Sequence, residues 1–155
     1  MLADDEFDPR RVLVVDDDGP MLRTHARVLE AHGLHPVVMA DAAEALAEAM
    51  QRVPAVLVVD LVMPGMSGLE LVTRLRAHFG RSCPPVVLVS ANHVQLAPIE
   101  QLMFDAIVTK PFSIDRLVQV TKRLARQHAD RRQAPSGVRS KATPAAGEGS
   151  ESEGS

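Results

Sequence analysis

The chain has 155 residues, 46% of them apolar but only 3% aromatic, with no Trp or Tyr and a formal net charge of −3. That length fits one domain of roughly 100–200 residues, its core built from aliphatic side chains. The near-neutral charge and the lack of aromatic stacking platforms argue against nucleic-acid and membrane binding, and the single cysteine, Cys83, excludes an intrachain disulfide or a multi-cysteine metal site.

Residues 1–10 read as a short acidic extension without the basic start and apolar run of a secretion signal. No apolar run approaches the roughly 18 residues that span a bilayer, so a cytoplasmic location is expected. The folded part is expected over residues 11–128. Residues 129–155 are expected to be a disordered tail, because from Ala134 onward Pro, Ala, Gly and Ser dominate and too little apolar surface is present to offset chain entropy.

Within 11–128, apolar runs alternate with helical patterns. Residues 12–15 (VLVV) form a short continuous apolar run, the mark of a strand buried on both faces. A helix follows over 20–32, with Leu22, Ala26 and Leu29 on one face and Gly33 as its stop. Residues 35–39 read as a weaker strand. Asp41 is placed to cap an Ala-rich helix whose inner face is Ala42, Ala45, Leu46, Ala49 and Met50. Residues 55–59 form a third strand, and Ser67 precedes a helix carrying Leu71, Leu75 and Phe79. A fourth strand covers 86–89. A helix over 94–103 is expected to be short or distorted by Pro98. A fifth strand covers 106–109. Ser113 then caps a last helix with Ile114, Leu117, Val118 and Leu124 facing inward. Five β-then-α units in series predict an α/β fold, a doubly wound parallel sheet with helices on both faces. Ligands of such sheets bind beyond the carboxyl ends of the strands.

Those strand ends hold the polar residues with chemical meaning. Asp16, Asp17 and Asp18 follow the first strand, Asp60 the third, Ser90 the fourth and Lys110 the fifth. Carboxylates brought together repel and raise one another's pKa, which makes sense if a divalent cation sits among them. Mg2+ takes one or two carboxylates together with phosphate oxygens. Lys110 supplies a point charge for a phosphoryl group and Ser90 a hydroxyl donor. A carboxylate can itself accept the phosphoryl group as an acyl phosphate. Taken singly, each residue reads as a turn, a cap or a solvated side chain; the combination at four ends of one sheet carries the inference.

The segments VLVVDDD (12–18), VVDLVMPGMSGLEL (58–71), VVLVSAN (86–92) and TKPFS (109–113) resemble the signature segments of response-regulator receiver domains, in the same order and with matching spacing. The resemblance covers residues 11–128. It implies a flavodoxin-like (CheY-like) sheet of order 2-1-3-4-5. It implies Asp60 as the phosphorylated residue, with Asp17 and Asp60 as direct Mg2+ ligands, Asp16 acting through a bound water, and the Val62 carbonyl as a further ligand. Ser90 corresponds to the switch hydroxyl, Lys110 to the phosphate-pairing lysine, and Pro111 to a proline often preceded by a cis peptide bond. Gly68 would let the following helix approach.

Three departures stand out. The family's usual aromatic switch position holds Ile107, the segment before Lys110 lacks a common glycine, and Val62 and Asn92 occupy positions that influence the attack of water on the acyl phosphate. The six histidines show no metal-ligand spacing and are expected to be solvated or structurally satisfied. The resemblance implies a single-domain phosphoacceptor rather than an enzyme, a monomer or a phosphorylation-dependent dimer. It would be loaded by a histidine kinase or a phosphotransfer protein and would signal through protein contacts. A relay intermediate or phosphate sink is the alternative. A haloacid-dehalogenase-like phosphatase is disfavoured because the second acid it requires is Val62 here. A non-phosphorylated scaffold is disfavoured by the complete acidic cluster.

Overall fold

The structure, a computed structural model, describes residues 7–91 and 96–133. The elements are β1 (Arg11–Val15), α1 (Gly19–Ala31), β2 (His35–Met39), α2 (Ala42–Gln51), β3 (Val56–Asp60), α3 (Gly68–Phe79) with a 3-10 turn at Gly80–Ser82, β4 (Val86–Ala91), α4 (Pro98–Gln101), β5 (Ala106–Lys110) and α5 (Ile114–Gln133). The five strands form one parallel sheet of order β2-β1-β3-β4-β5, the expected doubly wound α/β arrangement.

The period of two along each strand sorts the aliphatic side chains into two cores. Val12, Val14, Val56, Val58, Val87 and Val89 face one layer, where Leu22 and Leu29 of α1 and Leu117, Val120 and Leu124 of α5 cover them. Leu13, Val15, Leu57, Val59, Val86 and Leu88 face the other, under the alanines of α2 and Leu71, Val72 and Leu75 of α3. This double coverage explains why the central strands read as unbroken apolar runs. The edge strand β2 is half exposed, and its pattern is correspondingly weaker. Side chains close the helix starts: Asp18, Asp41, Ser67 and Ser113 accept from the backbone N–H groups of Met21, Ala43, Glu70 and Arg116 at 3.2, 2.8, 3.1 and 3.1 Å.

Several expectations need correction. The helix expected over 94–103 is described only as the single turn Pro98–Gln101, with residues 92–95 outside the described set. It is short, one of the two outcomes expected there, and Pro98 starts it, where its missing N–H costs nothing, rather than distorting it. Met50 and Ile114, expected inside, are 40% and 39% exposed. On the inner face of α1 the buried positions are Leu22, His25 and Leu29, and Ala26 is only half-buried. The last helix runs to Gln133, past the expected boundary at residue 128. Its continuation has packing partners. His128 is buried and bonds the Ala55 carbonyl through Nδ1 at 3.0 Å. Phe7 meets the His128 ring edge-on at 5.2 Å, and the Arg132 guanidinium lies 4.1 Å from the Phe7 ring centroid. Residues 7–10 are thus docked on the domain. Residues 1–6 and the tail expected beyond 133 lie outside the described residues.

Candidate metal centre

Parallel pairing brings the C-terminal ends of β1, β3, β4 and β5 to one edge of the sheet. Val15 pairs with Val59, Asp60 with Val89, Ser90 with Thr109 and Ala91 with Lys110. Asp16 and Asp17 follow directly on β1, and the Asp16 N–H bonds the Met39 carbonyl of β2 at 3.1 Å. The register alone therefore carries the three candidate carboxylates, Ser90 and Lys110 to the same end.

One carboxylate oxygen from each of Asp16, Asp17 and Asp60 lies within 4.8 Å of the other two. Asp16 is buried, Asp60 half-buried and Asp17 exposed, so the cluster opens to solvent on the Asp17 side. Asp16 Oδ1 also accepts the Asp18 N–H at 3.0 Å, which fixes its carboxylate. Lys110 Nζ stands 3.9 Å from Asp60 Oδ1, an ion pair too long to be a hydrogen bond. Ser90 is buried on β4. The Lys110–Pro111 peptide is cis. Val62, in the turn after β3, is 65% exposed. Asn92 lies outside the described residues.

Burial raises Asp60 above the ordinary carboxylate range, with the Asp16 charge adding to it and Lys110 opposing. Asp16 is raised by burial too, against the Asp18 N–H and Lys110. The fold therefore holds acids together at an electrostatic cost that Lys110 does not cancel. Three hard oxygen donors at this spacing, uncompensated and open on one side, fit a magnesium ion that keeps several waters.

Gly68 places the start of α3 against this cluster. A Cβ built on it would stand 2.3 Å from the Asp60 carbonyl oxygen, and the Gly68 N–H bonds the Leu61 carbonyl at 2.9 Å. Close helix approach, expected at Gly68, is what the backbone shows. Ile107 is half-buried and packs on the α2–α3 side core. It also lines an open apolar groove of about 660 Å3 with Pro98, Ile99, Leu102 and Phe104, on which none of the carboxylates borders.

The expectation that the histidines are solvated or structurally satisfied fails at His25, which is buried with its Nδ1 unpartnered among the described residues. It is buried on α1, and burial lowers its pKa, while the charges of Asp16, Lys110 and Asp18 all reach it. Its spacing from Leu22 and Leu29 (i+3 and i−4) could have placed it on the inner stripe, where the smaller Ala26 was expected.

Residues 12–122 match the family model described as the response regulator receiver domain. The chain is 33% identical to the sensory transduction protein RegX3 of Mycolicibacterium smegmatis, over 77% of this chain and 52% of that protein. It is 38% identical to the transcriptional regulatory protein PrrA of Mycobacterium tuberculosis, over 76% and 50% respectively. The chain thus spans about half the length of the curated relatives it matches. Among solved structures, the receiver domain of the Francisella response regulator 1452 superimposes with a TM-score of 0.69 at 32% identity, covering 76% of this chain and 98% of that one. The response regulator TrrA of Thermotoga maritima, in complex with Mg(2+)-BeF, gives a TM-score of 0.68 at 26% identity, over 74% and 98%.

Proposed function

Because the chain belongs to the response regulator receiver domain family, we propose that Asp60 accepts a phosphoryl group from a phosphohistidine of a histidine kinase or phosphotransfer protein. The observation that carries this reading is the convergence of Asp16, Asp17 and Asp60 within 4.8 Å, with Lys110 Nζ 3.9 Å from Asp60.

A carboxylate oxygen of Asp60 attacks phosphorus in line with the donor nitrogen. A P–O bond forms as the P–N bond breaks, and the departing imidazole keeps the electron pair and takes up a proton. Little covalent work is left for the protein beyond placing charge and geometry. Lys110 moves from Asp60 to the phosphoryl oxygens, which carry more charge than the carboxylate it now faces. The Ser90 hydroxyl donates to another of those oxygens. Asp16 and Asp17, with Asp60 and the Val62 carbonyl, would hold Mg2+, which when bound neutralises charge on the phosphoryl oxygens and on the acids. The resulting acyl phosphate biases the β4–β5 end of the sheet and its neighbouring helices, and the output passes through protein contact. The complex of TrrA with Mg(2+)-BeF supports a pocket of this kind, since that relative shares the fold at 26% identity.

The test is labelling with acetyl phosphate, read by intact mass. One phosphoryl group should add in Mg2+, and none in EDTA or in Asp60→Asn. Labelling that Asp60→Asn leaves intact would return the protein to a scaffold reading. Multiple turnovers of a generic phosphomonoester would make it a phosphatase.

A further inference from the structure

His25 stands out among the buried polar side chains because its ring packs beside Phe112, two residues from Lys110. It lies on the inner face of α1 with Leu22 and Leu29 and is only 3% exposed. Its Nδ1 has no hydrogen-bond partner among the described residues, so on that side packing alone holds the ring. The ring it packs beside is Phe112, centroid to centroid 6.0 Å at 43°, within the range of favourable aromatic pairs. Phe112 is two residues beyond Lys110, across the Lys110–Pro111 peptide, and itself packs on the α1–α5 side core. The charges of Asp16, just after β1, and Lys110, at the end of β5, both act on His25. An aliphatic residue would continue the Leu22–Leu29 stripe without burying an unpaired nitrogen. A flat ring adds something an aliphatic does not: a face for Phe112.

From this arrangement we infer that His25 is a positioning residue, whose ring fixes Phe112 and through it the Lys110–Pro111 turn, so that the lysine ammonium is held where the phosphoryl oxygens arrive. The inference rests on the phosphoacceptor reading of Asp60. It assigns His25 no contact with phosphate. It separates two functions of the pocket, since the metal-binding acids stand on β1 and β3 while the Phe112 contact acts on the end of β5.

The experiment compares wild type, His25→Ala, His25→Phe, Phe112→Ala and the His25→Ala/Phe112→Ala pair. Two quantities are read: Mg2+ affinity by titration calorimetry, and the acetyl phosphate concentration giving half-maximal labelling of Asp60. His25→Ala should raise the half-saturating concentration by roughly two- to tenfold, the range to which an aromatic pair of ~0.5–1.5 kcal/mol converts. Mg2+ affinity should stay at the wild-type value. Phe112→Ala should give the same selective loss, and the double variant no more than either single change, because both remove one contact. His25→Phe should restore labelling. Half-saturation unchanged in His25→Ala, a parallel fall in Mg2+ affinity, or a His25→Phe as impaired as His25→Ala would each overturn the inference. If His25→Ala does not fold by circular dichroism, Phe112→Ala and His25→Phe decide it by the same criteria. Failure of wild type to label at Asp60 would overturn the phosphoacceptor reading as well.

Discussion

Replacing Gly68 with alanine tests the link between backbone packing and the acidic pocket. On an ordinary helix the change from Gly to Ala stabilises by roughly 0.5–1 kcal/mol, through lower chain entropy in the unfolded state. Here the new methyl would lie 2.3 Å from the Asp60 carbonyl oxygen and 3.1 Å from both the Asp60 carbonyl carbon and the Leu61 Cα. All three are backbone atoms, so no side chain can swing away. Restoring an ordinary contact requires about 1 Å of movement between the start of α3 and the end of β3. Overpacking of that kind costs typically ~1–3 kcal/mol, more than the helix gain returns. Gly68→Ala should therefore lose about 1–2 kcal/mol net and slow labelling at Asp60, whose own peptide must move. Urea unfolding followed by circular dichroism, which suits a chain without Trp, gives the first quantity, and acetyl phosphate labelling gives the second. A Gly68→Ala protein as stable as wild type and labelled at the same rate would refute the packing argument.

Asp60→Asn in EDTA should be more stable than wild type at neutral pH, because the raised pKa of Asp60 means that folding disfavours its charged form. A raised folded value gives stability that is present below the ordinary aspartate value of 3.8 and lost as pH rises through the folded value, so the advantage of the variant should fade on acidification. A less stable Asp60→Asn at neutral pH would contradict this. Asp105→Ala should cost ~1–3 kcal/mol in urea by stranding a buried N–H, since Asp105 Oδ2 accepts from Val86 N–H at 2.8 Å and from Arg76 at 3.1 Å. Asp105→Asn, which keeps an acceptor, should lose less. Val62→Asn should shorten the lifetime of phosphorylated protein in Mg2+, as an exposed amide orients attacking water better than the 65% exposed valine; an unchanged decay rate would reject that role. Cys83, buried and pushed up to about 11, should resist maleimide at pH 8 until the protein is unfolded, and rapid labelling of the native state would contradict its burial.

The fold was legible where one force dominated. Strands β1, β3 and β4 bury both faces, so hydrophobicity alone marks them, and the strand-end rule then locates the acids, Ser90 and Lys110 without any contact map. Legibility failed where burial depends on a partner distant in sequence. Met50 carries the right period yet, in the last turn of α2, is 40% exposed. Residues 129–133 look polar and loose, but Arg132 is helical and lies over Phe7, a residue from the other end of the chain. His25 was hidden for the opposite reason: a polar residue type at an inward position reads as an interruption of the stripe until its neighbours are known.

The contrast between Asp16 and Asp105 separates what the fold needs from what the site needs. Asp105 Oδ2 accepts from a part-buried backbone N–H and from an arginine, so its role is structural. Asp16 has an N–H from Asp18 and the distant Lys110, against burial and the charges of Asp17 and Asp18, and its pKa is raised. Asp60 has the same imbalance. A fold selected only for stability would replace such acids with neutral groups of similar shape. Their unanswered charge at the open end of the sheet is therefore a capacity to bind: it stabilises the protein only when positive charge arrives, so stability and ligation are one linked equilibrium.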